Sequence, residues 1–179
     1  MTRLQALNPD TATGKTKELF NAVQGKLGLV PNMMRTMGNS DAVLEGYLNL
    51  SGALSKGKLS NRTGELIALA VSESNACDYC LAAHTFIGDQ LLKTEISVLE
   101  DARLGKSADS KTQAILQLAK ALIAKNGRVN DLDVNNAKQA GVTDTEIAET
   151  IAHVALNVLT NYFNNTANTE IDFPVVAAL

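Results

Sequence analysis

Residues 60–84 read SNRTGELIALAVSESNACDYCLAAH, a stretch that predicts two helices with a break between them. Ser60 is a residue type that commonly caps a helix at its amino terminus. The run from Leu66 to Val71 is apolar all round, which is typical of a buried helix. The pattern breaks at Asn75, and a second helix is expected to begin near Cys77. Because the connection is so short, we expect the two helices to pack as an antiparallel pair.

Helical periodicity dominates the remainder of the chain and strand alternation is nearly absent, so the predicted fold class is all-α. We expect a single domain over residues 1–179, with a core of about residues 15–165. The polar and then apolar tail after residue 163 is expected to pack on a neighbour or to fray. The predicted helices cover residues 13–26, 33–37, 41–55, 60–74, 77–93, 94–105, 114–127, 131–140 and 143–163.

Composition narrows the classes of function. The chain has 45% hydrophobic and 20% charged residues and a net charge of −3, so it offers no basic patch for nucleic acid. No apolar run approaches the ~20 residues that a membrane span needs. The first residues, MTRLQALNPD, lack the apolar core of a secretory signal. We therefore expect a cytoplasmic protein, in which a close pair of cysteines is catalytic or metal-binding rather than a structural disulfide.

The second helix of the pair carries both cysteines of the chain and one of its two histidines. Cys77, Cys80 and His84 are spaced so that they share one helical face. Glu65 lies about ten positions before the turn and His84 about nine after it, so at ~1.5 Å per residue their heights match. We expect Glu65 to orient His84 or to share a proton with it.

The residues alone leave open which thiol attacks a substrate. Cys80 has His84 one turn away as a base or proton relay. Cys77 lies nearer the helix terminus, where unpaired N–H groups and the dipole favour a thiolate. In either case a thiolate can reduce a peroxide, the second cysteine can close a disulfide, and an external dithiol must reopen it.

Other interpretations of these residues compete with this one. Two cysteines on a helix can be plain core residues. A Cys-x-x-Cys pair with a histidine supplies only three ligands for zinc, and the fourth is missing. Tyr79, between the cysteines, is expected to line the pocket or supply a hydroxyl. His153, within the last apolar helix, is predicted to be a satisfied interior or interface histidine.

The motif resembles that of the AhpD-like proteins, which belong to the carboxymuconolactone decarboxylase superfamily. The shared spacing is Glu65, eleven residues, Cys77, two residues, Cys80, three residues and His84. The segment 27–32 (LGLVPN) and the words ELIALAVSE and YCLAAHT are similar to the branch usually called peroxidase-related. The resemblance covers about residues 15–165.

This resemblance implies an all-helical fold, a homo-oligomer (trimer or hexamer) and weak alkylhydroperoxide reductase activity, with no metal or flavin. It implies that Cys80 reacts with the peroxide, that Cys77 is its disulfide partner, and that Glu65 and His84 relay the proton. Tyr79 stands where well-known members have a histidine, so the relay is one member short. The implied partners are a peroxide or protein disulfide, a peroxiredoxin, and a lipoyl-bearing protein or other dithiol reductant.

Two other functions remain as alternatives. One is a decarboxylase of aromatic catabolism like the namesake of the superfamily, which would survive mutation of both cysteines. The other is a non-enzymatic redox sensor whose disulfide switches an interface, which would oxidise stoichiometrically without turnover.

Overall fold

The computed structural model describes residues 1–177 and 179, and every regular element in that part of the chain is helical, which confirms the predicted all-α class. A π-helical turn, Ile87–Leu91, continues directly from the fifth helix. None of the helices described is long and apolar enough to cross a membrane. The α-helices are α1 Gly14–Leu27, α2 Asn32–Met37, α3 Asp41–Leu54, α4 Asn61–Ser74, α5 Asp78–Phe86, α6 Ile96–Arg103, α7 Ser110–Ala124, α8 Asp131–Gln139 and α9 Asp144–Ala167.

Helix α4 is the central element of the fold. Ser60 caps it by accepting a hydrogen bond from the backbone N–H of Thr63 at 3.0 Å. Every residue from Leu66 to Ser72 is buried, as predicted from the apolar run. The helix packs against α5, α6, α7 and α9, and its side chains join theirs in the larger of two apolar clusters. Helix α4 therefore positions α5 and α9, the two helices that contribute side chains at the cysteines.

The second apolar cluster encloses the start of α5. It combines side chains from α1, α2 and α3 with both cysteines and Tyr79. Met33, Met34 and Met37 of the short helix α2 are all buried in this cluster. Helices α1 and α2 thus form a lid over the cysteine-bearing end of α5.

Helix α9 runs four residues further than the sequence predicts. A capping box of Thr143 and Glu146 opens it, as expected, but it ends at Ala167 rather than near Phe163. The amide-rich segment after Phe163 is therefore helical, and Asn164 is buried. This extension carries α9 past the start of α5.

The carboxyl-terminal tail folds back onto its own chain. Phe173 packs edge-on against Tyr79, with ring centroids 5.8 Å apart, and against Phe86 at 5.7 Å. Asp172 accepts a hydrogen bond from the backbone N–H of Asn32 at 2.7 Å. The tail is thus part of the wall around the second apolar cluster, through contacts within this chain.

Candidate active site

The two cysteines lie at the amino terminus of α5 and are joined in a disulfide, with their Cα atoms 5.3 Å apart. Cys77 is the capping residue itself: its sulfur accepts a hydrogen bond from the backbone N–H of Cys80 at 3.3 Å. The side chains are fully enclosed, since Cys77 is 0% and Cys80 2% exposed. A helix terminus with free N–H groups stabilises negative charge on sulfur, so the location suits a couple that cycles between disulfide and thiolate.

Side chains of α9 hold the turn between α4 and α5 through hydrogen bonds. Asn75 donates a hydrogen bond from its side chain to Oδ1 of Asn161 at 3.0 Å, and its backbone carbonyl accepts one from Nδ2 of Asn165 at 2.9 Å. Ala76 has a φ of 48°, in the left-handed region that an alanine rarely adopts. Tertiary contacts therefore maintain a strained turn one residue before Cys77.

Glu65 of α4 and His84 of α5 are in contact, as the matching heights along the helix pair predict. Nδ1 of the imidazole and Oε2 of the carboxylate are 2.6 Å apart. Both side chains are about one-fifth exposed, at 21% for Glu65 and 22% for His84. With Nδ1 engaged by the carboxylate, Nε2 is the nitrogen left to exchange a proton with a substrate. His84 follows Cys80 by one helical turn, so the imidazole and the sulfur share a face of α5.

A third group at the sulfurs was not found from the sequence. Nδ2 of Asn164 on α9 donates a hydrogen bond to the sulfur of Cys80 at 3.3 Å. Asn164 is 3% exposed, and its Oδ1 is buried without a hydrogen-bond partner among the described residues. The signal available was the spacing of Asn157, Asn161 and Asn164, which fall on one face of a helix that continues beyond residue 163.

Tyr79 lies beside the cysteines, and its hydroxyl is engaged by the backbone of α2. The phenolic oxygen accepts a hydrogen bond from the backbone N–H of Met33 at 3.1 Å. Burial raises the pKa of Tyr79 well above its usual range, and the nearby carboxylate of Asp172 raises it further. The phenol therefore stays protonated and connects α5 to α2 and to the tail.

His153 of α9 is partly buried, as predicted, but it is not satisfied. Its Nε2 is enclosed without a hydrogen-bond partner among the residues described. Its ring lies against Gly64, where a Cβ would approach Cε1 to 3.0 Å. Burial lowers the pKa of His153, and the charges of Glu149 and Glu65 oppose that effect. The lowered pKa of His153 therefore favours its neutral form, and the ring lies against the helix that carries Glu65.

Two clefts of the described residues lie apart from this site. One, of about 610 Å³, lies between α7 and α8 and is lined by residues such as Gln117, Lys120 and Asp133. In the described part of the chain no group of three or more histidine, cysteine, aspartate or glutamate side chains is arranged to hold a metal ion. The redox-capable groups of the chain are therefore concentrated where α4, α5 and α9 meet.

Comparison with known proteins agrees with this arrangement. Residues 41–98 match the carboxymuconolactone decarboxylase family, a segment that contains α3, α4 and α5. No curated protein matches the chain.

Solved structures share the fold over nearly the whole chain. The alkylhydroperoxidase AhpD core of an uncharacterized peroxidase-related protein from Ralstonia eutropha JMP134 is 24% identical with a TM-score of 0.85, covering 96% of this chain and 92% of that one. An uncharacterized peroxidase-related protein from Silicibacter sp. TM1040 is 23% identical with a TM-score of 0.82, covering 94% and 91%. A debrominase in complex with 2,3,4-tribromopyrrole is 18% identical with a TM-score of 0.77, covering 96% and 90%.

The fold, the Cys-x-x-Cys pair at the start of α5 and the family match at residues 41–98 all agree. The chain has the AhpD-like fold, and its residues 41–98 match the carboxymuconolactone decarboxylase family.

Proposed function

We propose that the chain is a thiol-dependent reductase of alkyl hydroperoxides that works through the Cys77–Cys80 couple. The observation that carries this proposal is the juxtaposition of a buried, bonded cysteine pair at a helix terminus with a carboxylate–imidazole pair one turn away. Thiol chemistry needs a stabilised thiolate and a group that moves protons, and this site offers both.

In the proposed cycle, His84 takes the proton of the Cys80 thiol and the thiolate attacks the terminal oxygen of the hydroperoxide. An S–O bond forms, the O–O bond breaks, and the departing alkoxide takes the proton from His84 to leave as an alcohol. Cys77 then attacks the sulfur of the Cys80 sulfenic acid, so that the disulfide forms and water leaves. Glu65 holds the imidazole in position and stabilises its protonated form throughout.

An external dithiol must then reopen the disulfide and is itself oxidised to a disulfide. Since both sulfurs are almost fully enclosed, a slender dithiol such as a lipoyl group reaches them more readily than a rigid protein surface. A peroxiredoxin disulfide is the larger alternative substrate, and it would require the lid of α1 and α2 to open. We place this cycle in the reducing cytoplasm.

The test is turnover of cumene hydroperoxide with dithiothreitol as the reductant, for the wild type, Cys80→Ser and Cys77→Ser. With dithiothreitol we expect steady turnover for the wild type and no reaction for Cys80→Ser. Cys77→Ser, reduced beforehand and assayed without dithiothreitol, should react once and stop at the sulfenic acid, because excess dithiothreitol would reduce that acid directly. Wild-type rates no faster than those of the variants would refute the proposal. Turnover of a carboxymuconolactone by a double cysteine variant would establish the decarboxylase instead. Stoichiometric oxidation without turnover would indicate a sensor.

Reductive debromination is a second candidate. The debrominase of the same fold was solved with a brominated pyrrole, and here the cysteine sulfurs lie among the apolar side chains of the second cluster, a setting that suits an aromatic substrate. The reaction would replace C–Br by C–H, release bromide and oxidise the two thiols to the disulfide. Bromide release from tribromopyrrole that depends on both cysteines, without turnover of cumene hydroperoxide, would favour this activity over peroxide reduction.

The proposal includes self-association into a trimer or hexamer. Helix α9 exposes Ile151, Leu159 and Tyr162 at 48%, 43% and 60%, while Val43 and Leu50 of the neighbouring α3 are also exposed. Light scattering of the wild type and of a Leu159→Glu, Tyr162→Glu variant would measure this. A wild-type mass equal to that of one chain would refute it.

A further inference from the structure

We propose that Asn164 is a catalytic residue that binds the hydroperoxide at Cys80, its amide N–H contacting the sulfur and its amide oxygen accepting the O–H of the peroxide. This inference rests on the proposed peroxide reduction and adds a substrate contact to it.

The first observation is the contact with sulfur. Nδ2 of Asn164 lies 3.3 Å from the sulfur of Cys80 and donates to it. The sulfur of Cys77 has a donor of its own in the backbone N–H of Cys80, also at 3.3 Å. Each sulfur of the couple therefore has one donor, but only that of Cys80 comes from a side chain. A donor to a thiolate favours the charged form, and it does so most where water is excluded.

The second observation is the free amide oxygen. Oδ1 of Asn164 is buried and has no hydrogen-bond partner among the described residues, although the side chain is only 3% exposed. A buried acceptor without a partner is costly, so in native proteins such an atom usually meets a water, an ion or a ligand. Since Oδ1 belongs to the amide whose nitrogen contacts the sulfur, this acceptor lies within a few ångströms of the reacting atom.

A hydroperoxide matches this pair of groups. Its terminal oxygen is the atom that the thiolate attacks, and that same oxygen carries the proton that Oδ1 can accept. Contact with Oδ1 would hold the terminal oxygen beside the sulfur, leaving the inner oxygen to be protonated from His84 as the O–O bond breaks. After the S–O bond has formed, the sulfenic acid hydroxyl of Cys80 presents the same donor to Oδ1. Dialkyl peroxides lack this proton and are predicted to be poor substrates.

The position of Asn164 on α9 supports its proposed contact with the substrate, because a helix is a rigid element. The neighbouring amides Asn161 and Asn165 of the same helix hold the turn before Cys77. Helix α9 thus fixes both the entry to α5 and the side chain at the sulfur. A residue on a helix is placed more closely than one on a loop, which is what a substrate contact requires.

The experiment compares Asn164→Leu, which keeps the side-chain size but has neither donor nor acceptor, with Asn164→Ala. The matched control is Asn157→Leu, since Asn157 is also a buried amide of α9 but donates only to the carbonyl of His153. All three are made in Cys77→Ser, so that Cys80 remains as a lone reduced thiol. Circular dichroism melts confirm folding before the reactions are measured.

The first readout is alkylation of Cys80 by iodoacetamide as a function of pH, which reports the thiolate and needs no peroxide. We expect the alkylation profile to move to higher pH in both Asn164 variants and to remain unchanged in Asn157→Leu. The second readout is single-turnover reaction with cumene hydroperoxide on the alkaline plateau, where every variant is already thiolate. There we expect the Asn164 variants to react about tenfold more slowly than the parent Cys77→Ser protein, which corresponds to the loss of one hydrogen bond.

The outcomes separate this inference from the proposed function. An unshifted alkylation profile would overturn the contact with sulfur. Equal hydroperoxide rates on the plateau would overturn the contact with substrate. If the alkylation profile shifts but even the parent Cys77→Ser protein does not react with hydroperoxide, the proposed function fails and the substrate contact with it, while the role of Asn164 at the sulfur stands.

Discussion

Glu65 and His84 are 19 residues apart in the chain, yet their side chains meet at 2.6 Å between Oε2 and Nδ1. The contact spans two helices, so it is maintained by the packing of α4 on α5. It places the carboxyl group of Glu65 beside Nδ1 of the imidazole, on the side opposite to Nε2.

Replacing Glu65 by glutamine tests what that charge contributes. The amide can still accept a hydrogen bond from Nδ1, so the ring stays in place while the protonated imidazole loses its stabilisation. Under the proposed function we expect the kcat for cumene hydroperoxide to fall roughly ten- to hundredfold. The matched control is Glu73→Gln on the same helix, since Glu73 also forms an ion pair, at 2.6 Å to Arg103. A similar fall in both variants would show a general effect on α4 instead.

The strained turn before Cys77 predicts a stabilising substitution. Ala76 has a φ of 48°, which costs alanine roughly 1 kcal/mol and glycine very little. Ala76→Gly should therefore raise the free energy of unfolding by about 0.5–1 kcal/mol in urea titrations. Asn126 has a φ of 50° in a turn away from the site, and asparagine tolerates this region. Asn126→Gly should therefore raise the free energy of unfolding much less. Equal gains at both sites would contradict the strain at Ala76.

The packing of the carboxyl-terminal tail predicts that removal of one aromatic ring lowers the stability of the protein. Phe173 contacts Tyr79 and Phe86, and it is only partly buried. Phe173→Ala should lower the free energy of unfolding by about 1–3 kcal/mol, below the value for a full core phenylalanine. Val175 is two residues away and 77% exposed, so Val175→Ala should leave stability unchanged. Thermal unfolding followed by circular dichroism would measure both, and a loss confined to Val175→Ala would show that the tail packs differently.

His153 predicts a dependence of stability on pH. Burial holds its pKa below the ordinary value of 6.5, so as the pH falls the unfolded chain takes up a proton before the folded one does. The contribution of neutral His153 to the free energy of unfolding is therefore complete above pH 6.5, and it is lost as the pH falls through the lowered pKa. The free energy of unfolding of His153→Gln should decline less steeply than that of the wild type over this range. Parallel profiles in urea titrations at a series of pH values would disprove the assignment.

The helices and the Glu65–His84 contact follow from local rules. Ser60 and Thr143 cap their helices as their sequence patterns predict, and the short turn at Asn75 makes the heights of Glu65 and His84 comparable. These features depend on neighbours in sequence, where capping and spacing carry the information. The catalytic roles assigned to these residues stay predictions.

The features that the sequence did not disclose depend on distant partners. Asn164 lies in a polar run that is typical of a loop. Its burial follows from its contact with the sulfur of Cys80, which is 84 residues away in the chain. Phe173 follows the last helix without a periodic pattern, and its place beside Tyr79 is decided by tertiary packing. The π-helical turn Ile87–Leu91, where a continuous helix to about residue 93 was expected, likewise has no marker in the sequence.

The enclosure of both sulfurs has a practical consequence for anyone who assays this protein. Reagents that count free thiols must first reach Cys77 and Cys80, which are 0% and 2% exposed. With a bulky label, the native protein will report how often the lid of α1 and α2 opens rather than whether the disulfide is intact. The oxidation state of the cysteines should therefore be measured after rapid unfolding in acid. The rate at which the native protein is labelled then measures local opening of the second apolar cluster.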